Sequence, residues 1–341
     1  MRLGINPAKL KSQLPSYLAH RLIIPVHIPA HEGYFSQSLD ILRLCLESVR
    51  QTVGGNAAVT LISNGSTPAV VAELERHHAA GWVDQLIINH TNRGKVDVVA
   101  AVARGAFEEF LTVADCDVLF RRGWLEAVEA MFARFPECGF VAPVPNPLLL
   151  WHHTSATVLG ALAHRELGFA RVIAEDDWQR FTRSIERLDL ATGPHCRTQL
   201  TVQRGGTIAC VGAGHFVFTM RKSVVGGMPL EPSLNAISGD SELRWLDMPA
   251  DKLGFWRLAT PQAYAYHMGN QIEPWMQNEL HTTDPVAPVA APSQPLPYKR
   301  PWISQWPWPV RRGLVRLLRL PVNRPLLRRI LDLPADAAGL L

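Results

Sequence analysis

The chain is short of the features that mark several large protein classes. Its five cysteines, Cys45, Cys116, Cys138, Cys196 and Cys210, are odd in number, lie scattered along the 341 residues and include no Cys-x-x-Cys pair. That spacing argues against structural zinc and favours a reducing compartment. No uninterrupted apolar run of about 18 residues occurs, so no spanning helix is expected. Met1 to His20 has no continuous apolar core and does not read as a secretory signal. Charge is also scarce over most of the length. Residues 309 to 333 hold seven arginines and one aspartate, +6 in all, so the remainder carries −2 of the net +4. A body of that balance gives no reason to expect a nucleic-acid partner.

What is present is an ordered α/β pattern. With 47% hydrophobic and 19% charged residues the chain is globular and large enough for a substantial core. Arg21 to His27 is a short apolar run suited to a buried parallel strand. Ser38 to Thr52 repeats Leu39, Leu42, Leu46 and Val49 at helical spacing, with Ser38 placed to cap it. Ala57 to Ser63 is a second strand and Asn64-Gly65-Ser66 a turn; Pro68 to His78 is a helix and Gln85 to Ile88 a third strand. Asn92-Arg93-Gly94-Lys95 opens a helix reaching about Gly105, and Phe110 to Ala114 leads into Asp115-Cys116-Asp117. Strands and helices alternating at this pitch predict right-handed crossovers and a mostly parallel sheet.

After Gly123 the pattern changes. Trp124 to Phe135 reads as a helix, Phe140 to Val144 as a strand, and Ala156 to Leu188 as mostly helical. Glu175-Asp176-Asp177 reads as a solvated helical face. Thr207 to Met220 is two strands or one bent strand, with Gly212 and Gly214 where a backbone or ligand comes close. Pro285 to Pro309, rich in proline and tryptophan, reads as a linker or wrapping arm. The expected divisions are an extension at 1–20, a nucleotide-type α/β half at 21–122, a second half of the same domain at 123–280, and a linker and tail at 281–341.

Asp115 and Asp117 stand at i and i+2, which in a strand puts both on one side and Cys116 on the other. Two hard oxygen donors suit Mg²⁺ or Mn²⁺ completed by phosphate oxygens and water. The triplet alone has a plain alternative, a solvated strand-to-turn corner.

The order of motifs resembles the GT-A glycosyltransferases, and among them the family 2 nucleotide-sugar transferases. Ile23-Ile24-Pro25-Val26-His27 is similar to the family's opening strand, Ser63-Asn64-Gly65-Ser66 to its Asp-Asp-Gly-Ser turn, and Asn92-Arg93-Gly94-Lys95 to its Asn-x-Gly helix start. Asp115-Cys116-Asp117, followed by Gly123-Trp124-Leu125, matches its metal triplet. Ser238-Gly239-Asp240-Ser241-Glu242-Leu243 resembles the acidic motif that supplies the catalytic base, and Tyr266-His267-Met268-Gly269 a late strand whose histidine completes the metal shell or faces the diphosphate. Gly239 and Ser63 depart from the pattern, and the second leaves the nucleotide base open.

The resemblance, which covers roughly residues 20 to 270, implies a GT-A fold and a metal-dependent, inverting glycosyltransferase. Its donor would be a nucleotide-diphosphate sugar and its acceptor a glycan or lipid-linked hydroxyl. Pro25, His27, Asn64, Asn92, Lys95 and Asp115 would bind the donor, Asp117, Asp115 and His267 the Mn²⁺ or Mg²⁺, and Asp240 would take the acceptor proton. His215 with its neighbouring glycines would line the acceptor side. Other readings stay open: a helix start for Asp240 and Glu242, a structural role for His267, a surface role for Lys95, and a catalytically silent GT-A domain acting as a membrane-attached scaffold. A sugar-nucleotide pyrophosphorylase is less well matched, because no Gly-x-Gly-x-Arg loop follows the first strand.

In the tail, Val310, Leu314, Leu317 and Leu318 share one helical face and Arg312, Arg316 and Arg319 another. Leu326, Leu327, Ile330 and Leu331 repeat the pattern against Arg328 and Arg329. With Trp302, Trp306 and Trp308 ahead of them, these helices suit either a peripheral membrane contact through residues 309–333 or packing on the body. The expected place of work is the cytoplasm, at the inner face of the cell membrane.

Overall fold

A computed structural model describes residues 4–10, 17–237, 240–282, 296–323, 325 and 329. Ser238 and Gly239 of the acidic motif, much of the Pro/Trp-rich arm and nearly all of the second tail helix therefore lie outside the described residues.

The first half is built as the apolar runs predict. Strands β1 (His20–Val26), β2 (Ala58–Asn64), β3 (Gln85–Asn89) and β4 (Phe110–Ala114) alternate with helices α1 (Ser38–Val53), α2 (Pro68–Ala79) and α3 (Lys95–Gly105). β3, β2, β1 and β4 lie side by side and parallel. β1 is apolar at successive positions because both faces of the sheet are covered: Leu22, Ile24 and Val26 join one core and Ile23 the other. The start of α1 differs from expectation in detail. Gln37 is the residue ahead of the helix, no side chain caps it, and Ser38 is already the first helical residue.

The second half runs β5 (Val118–Phe120), α4 (Trp124–Arg134), β6 (Cys138–Ala142), α5 (Ser155–Ala163), β7 (Leu167–Ala170), α6 (Glu175–Ser184) and α7 (Pro194–Arg197). It continues through β8 (Gln199–Arg204), β9 (Thr207–Cys210), β10 (Val217–Arg221), α8 (Met248–Lys252), β11 (Trp256–Ala259), β12 (Ala265–His267), α9 (Pro274–His281) and α10 (Trp308–Leu318). One ten-stranded sheet, in the order β3-β2-β1-β4-β10-β6-β11-β9-β8-β7, carries both halves; β12 and β5 form a separate antiparallel pair. β10 enters antiparallel between β4 and β6, β6 and β11 are parallel, and β9, β8 and β7 extend the far edge antiparallel. The stretch expected to be mostly helical from Ala156 to Leu188 is interrupted by β7. That strand is an edge strand, half-buried throughout, and its four apolar residues are too few to be told from a helical segment by pattern.

α10 packs on the body through the wholly buried Arg311 and through Val315. The Arg311 guanidinium donates to the carbonyls of Asp251, Lys252, Ile303 and Trp306. Trp308 donates through Nε1 to Asp251 at 2.9 Å and stacks on His153. Val310 and Leu317, two of the residues predicted to form the apolar face, are about half exposed, because the helix docks along a different stripe. Among the described residues no helix is long and apolar enough to cross a membrane.

Candidate active site

β1, β2 and β4 end at one edge of the sheet, the edge where ligands bind in open α/β folds. A cavity of about 510 Å³ opens there. Pro25 and His27 line it from the end of β1, Asn64 from β2, Asn92 and Lys95 from the start of α3, and Asp115, Cys116 and Asp117 from the turn after β4. Tyr34 and Phe35, on the short turn after β1, join the wall with Ala236, Ile237, Gly269 and Asn270. The sequence signal for the first two is an aromatic pair just beyond the first strand; Ala236 and Ile237 carry none.

The turn chemistry is local and specific. Asn64 and Asn92 hold each other, Nδ2 to Oδ1 at 2.9 Å, and the two side chains also accept from the backbone N–H groups of Arg93 and Gly94. Gly94 has φ 86° and a Cβ there would meet the Asn235 carbonyl at 2.4 Å, so the helix start requires glycine. His27 donates from Nδ1 to the Asn64 carbonyl at 2.8 Å, which fixes its tautomer and its edge-on packing against Phe35. Ser63 is fully buried, with its hydroxyl unpartnered, so it stands beneath the pocket and not in its wall.

The aspartate triplet lies in a turn. β4 stops at Ala114 and β5 begins at Val118, so strand alternation does not govern the three side chains, and Cys116 joins the pocket wall instead of pointing away. Asp115 pairs with the Lys95 ammonium at 2.5 Å, and Lys95 reaches Glu242 at 2.6 Å on its other side. Burial works against the lysine's charge, but the two carboxylates outweigh it and hold its pKa above the ordinary value. Lys95 is thus buried in the cavity wall and is not a surface lysine.

Asp117 is different: its Oδ1 is buried without a partner, and its Oδ2 lies 3.4 Å from His267 Nε2. Burial pushes the Asp117 carboxyl up, with His267 opposing it. His267 is fixed through Nδ1 to the Ser184 hydroxyl at 2.9 Å and packs edge-on against Phe181 and Phe216. It touches Asp117 but does not line the cavity, and among the described residues no three His, Cys, Asp or Glu side chains are grouped to hold a metal ion. An unpartnered buried carboxylate oxygen beside a second carboxylate still fits a hard cation whose remaining ligands come from outside the protein.

The acidic motif separates into two unlike residues. Asp240 is exposed, sits at φ 62° and has no place in the cavity wall. Glu242, the second acidic residue of the motif, turns inward to Lys95 and lies 3.5 Å from His215 Nε2. Beyond it, His215 donates from Nδ1 to Asp247 at 2.9 Å, and Asp247 pairs with the buried Arg257 at 2.7 Å. Asp247 ends a π-helical turn, Leu243–Asp247, a backbone form that concentrates at functional sites.

The sequence profile described as Glycosyl transferase family 2 matches residues 26–224, more than half of the chain. The chain belongs to that family. The expected GT-A architecture is the one observed.

Among solved structures, the chain is similar to residues 1–349 of S. aureus TarS in complex with UDP-GlcNAc, at 15% identity and a TM-score of 0.31, over 37% of this chain and 34% of that one. It is also similar to the mannosyltransferase PcManGT from Pyrobaculum calidifontis in complex with GDP-Man and Mn²⁺, at 14% identity and a TM-score of 0.42, over 95% and 83%. A third is GalNAc-T7 with UDP, GalNAc and Mn²⁺, at 13% identity and a TM-score of 0.41, over 74% and 44%. The chain thus spans about a third of the TarS chain. No curated protein matches the sequence.

Proposed function

We propose that this glycosyltransferase moves a sugar from a nucleotide-diphosphate donor to an acceptor hydroxyl with inversion, using Mn²⁺ or Mg²⁺, in the synthesis of a surface or cell-envelope glycan. The supporting observation is the cavity at the strand ends, whose wall contains Pro25, His27, Asn64, Asn92, Lys95, Asp115 and Asp117 together. Tyr34 and Phe35 offer a nucleoside an apolar face, and the Asn64–Asn92 turn fixes the floor beneath it. Asp117 and Asp115 would hold the cation, with His267 steadying Asp117. When bound, the cation supplies Lewis-acid neutralisation of the leaving diphosphate.

The residues' own part is to place Lys95 beside the phosphates and to receive a proton. The acceptor oxygen bonds to the anomeric carbon from the face opposite the diphosphate, which leaves with the bonding electron pair. The acceptor's proton passes to Asp240, whose exposed carboxylate is open to an incoming hydroxyl. Incubation with UDP, GDP and dTDP sugars and Mn²⁺ should give slow donor hydrolysis. No hydrolysis with any donor and no cation-dependent nucleotide binding would sink the reading in favour of a silent scaffold. Asp240→Asn should leave nucleotide binding within about twofold and lower transfer by 10²–10⁴-fold; equal loss of both would show that Asp240 belongs to the donor pocket.

The tail carries the proposed membrane contact. Arg316 and Arg319 are exposed beside Val310, Leu317, Leu320 and Val322, a basic and apolar surface of the kind that binds anionic lipid. The double variant Arg316→Glu, Leu317→Glu, which leaves Arg311 and Val315 in place, should release the protein from anionic liposomes in a sedimentation assay. Unchanged sedimentation would remove the tail from the membrane contact.

A further inference from the structure

Six side chains form an unbroken line of alternating charge from the donor cavity into the second half of the protein. Asp115 meets Lys95 at 2.5 Å, Lys95 meets Glu242 at 2.6 Å, and Glu242 meets His215 at 3.5 Å. His215 in turn meets Asp247 at 2.9 Å, and Asp247 meets Arg257 at 2.7 Å. The inner end is rigid: Asp247 and Arg257 are each 1% exposed, and Arg257 also donates to the carbonyls of His152 and Ala213. A carboxylate can only accept, so Asp247 fixes the proton on His215 Nδ1 and turns Nε2 toward Glu242. His215 is about one-third exposed, and it sits beside Phe216, whose carbonyl accepts from the Asp115 N–H at 2.8 Å. The line therefore ties the donor cavity to Glu242, two residues beyond Asp240.

We propose that His215 is a positioning residue for the acceptor side, acting through Glu242 to fix the segment that carries Asp240. This rests on the glycosyl-transfer reading, and it adds a device that reading does not contain. Asp240 stands exposed at φ 62°, and its carbonyl accepts from the Arg244 N–H at 2.9 Å. Glu242 is held from both sides, by Lys95 and by His215, and anchors that backbone. Protonated His215 makes a charged pair with Glu242, whereas neutral His215 does not.

The groups facing the imidazole are Asp247 and Glu242, which favour its charge, and Lys95, His152 and Arg257, which oppose it. Burial would lower the His215 pKa, but Asp247 and then Glu242 raise it above its ordinary value. The charged pair is therefore complete below the ordinary histidine range and is lost as pH rises through the raised value. Transfer should show an alkaline limb that belongs to His215.

The test uses the full chain. Donor hydrolysis is followed against pH with whichever of UDP, GDP or dTDP sugars the wild type turns over with Mn²⁺, and binding of the matching nucleoside diphosphate is measured separately. His215→Asn keeps a donor for Asp247 and loses the charge; His215→Gln is the second variant. Both should lower turnover about tenfold, leave nucleotide affinity within about twofold, and abolish the alkaline limb. Turnover like wild type, an intact limb, or a matching loss of nucleotide affinity would overturn the proposal. A wild type with no turnover would count against the function itself, and the line is then read by NMR titration of His215. Its proton affinity should fall roughly threefold in Glu242→Gln; no change there would overturn the contact on which the proposal stands.

Discussion

Asp117→Ala will abolish cation-dependent binding of the nucleoside diphosphate, by about 100-fold or more in affinity, while binding without a divalent cation changes little. The scale follows from the order of loss at metal sites, where removing even an outer partner of a ligand costs 10–100-fold. Asp117 is singled out from its neighbour by what surrounds it. Asp115 is matched to Lys95 at 2.5 Å and keeps a partner whether or not a cation is present. Asp117 has one oxygen buried and unpartnered and the other at 3.4 Å from His267. A cation relieves that arrangement, and no described side chain does.

The stability of the same variant runs the other way. Burial pushes the Asp117 carboxyl above the ordinary range, so keeping it ionised at neutral pH costs folding free energy. Without added metal, Asp117→Ala should unfold at the wild-type denaturant midpoint or above it. With Mn²⁺ and nucleotide the wild type should gain stability and the variant should not. Isothermal titration with each nucleoside diphosphate, with and without Mn²⁺, reads the first effect, and denaturant melts read the second. A variant that binds as tightly as wild type would move the cation away from Asp117.

The first half was legible because its signals are local. Runs such as Leu22 to Val26 are apolar at every position when a sheet is covered on both faces, and the turns that line the cavity carry asparagine, glycine and aspartate for backbone reasons that sequence exposes. The second half was not. β7 is a half-buried edge strand amid charges, so its pairing with β8 and not its own pattern makes it a strand. Glu242, Asp247 and Arg257 look like surface residues by type; only the tertiary fold brings them into contact, at separations that no periodicity links. Arg311 is the same case in the tail, where the arginine is buried and part of the expected apolar stripe is exposed. Asp240 was found by motif, yet its neighbours Ser238 and Gly239 lie outside the described residues, and the inward role at this segment falls to Glu242.

Arg257→Ala carries the largest expected cost in stability. Arg257 and Asp247 are each 1% exposed and 2.7 Å apart, and the guanidinium also holds the carbonyls of His152 and Ala213 and lies over the Phe140 ring. Removing the arginine leaves a buried aspartate with His215 as its one remaining side-chain partner, and breaking such a pair from one side costs about 3–5 kcal/mol. Removing both charges is a different matter: Arg257→Met with Asp247→Leu should recover much of the loss, because two buried ions are no longer paid for. The pH dependence separates this account from simple loss of packing. Burial alone would raise the Asp247 carboxyl, but Arg257 and the His215 hydrogen bond hold it below the ordinary range. Its contribution is therefore present above the ordinary aspartate pKa and is lost as pH falls through the lower folded value. In Arg257→Ala that contribution is already gone, so denaturation midpoints of wild type and variant should converge toward acid. A gap that stays constant down to the aspartate range would assign the cost to packing over Phe140 instead of to the ion pair.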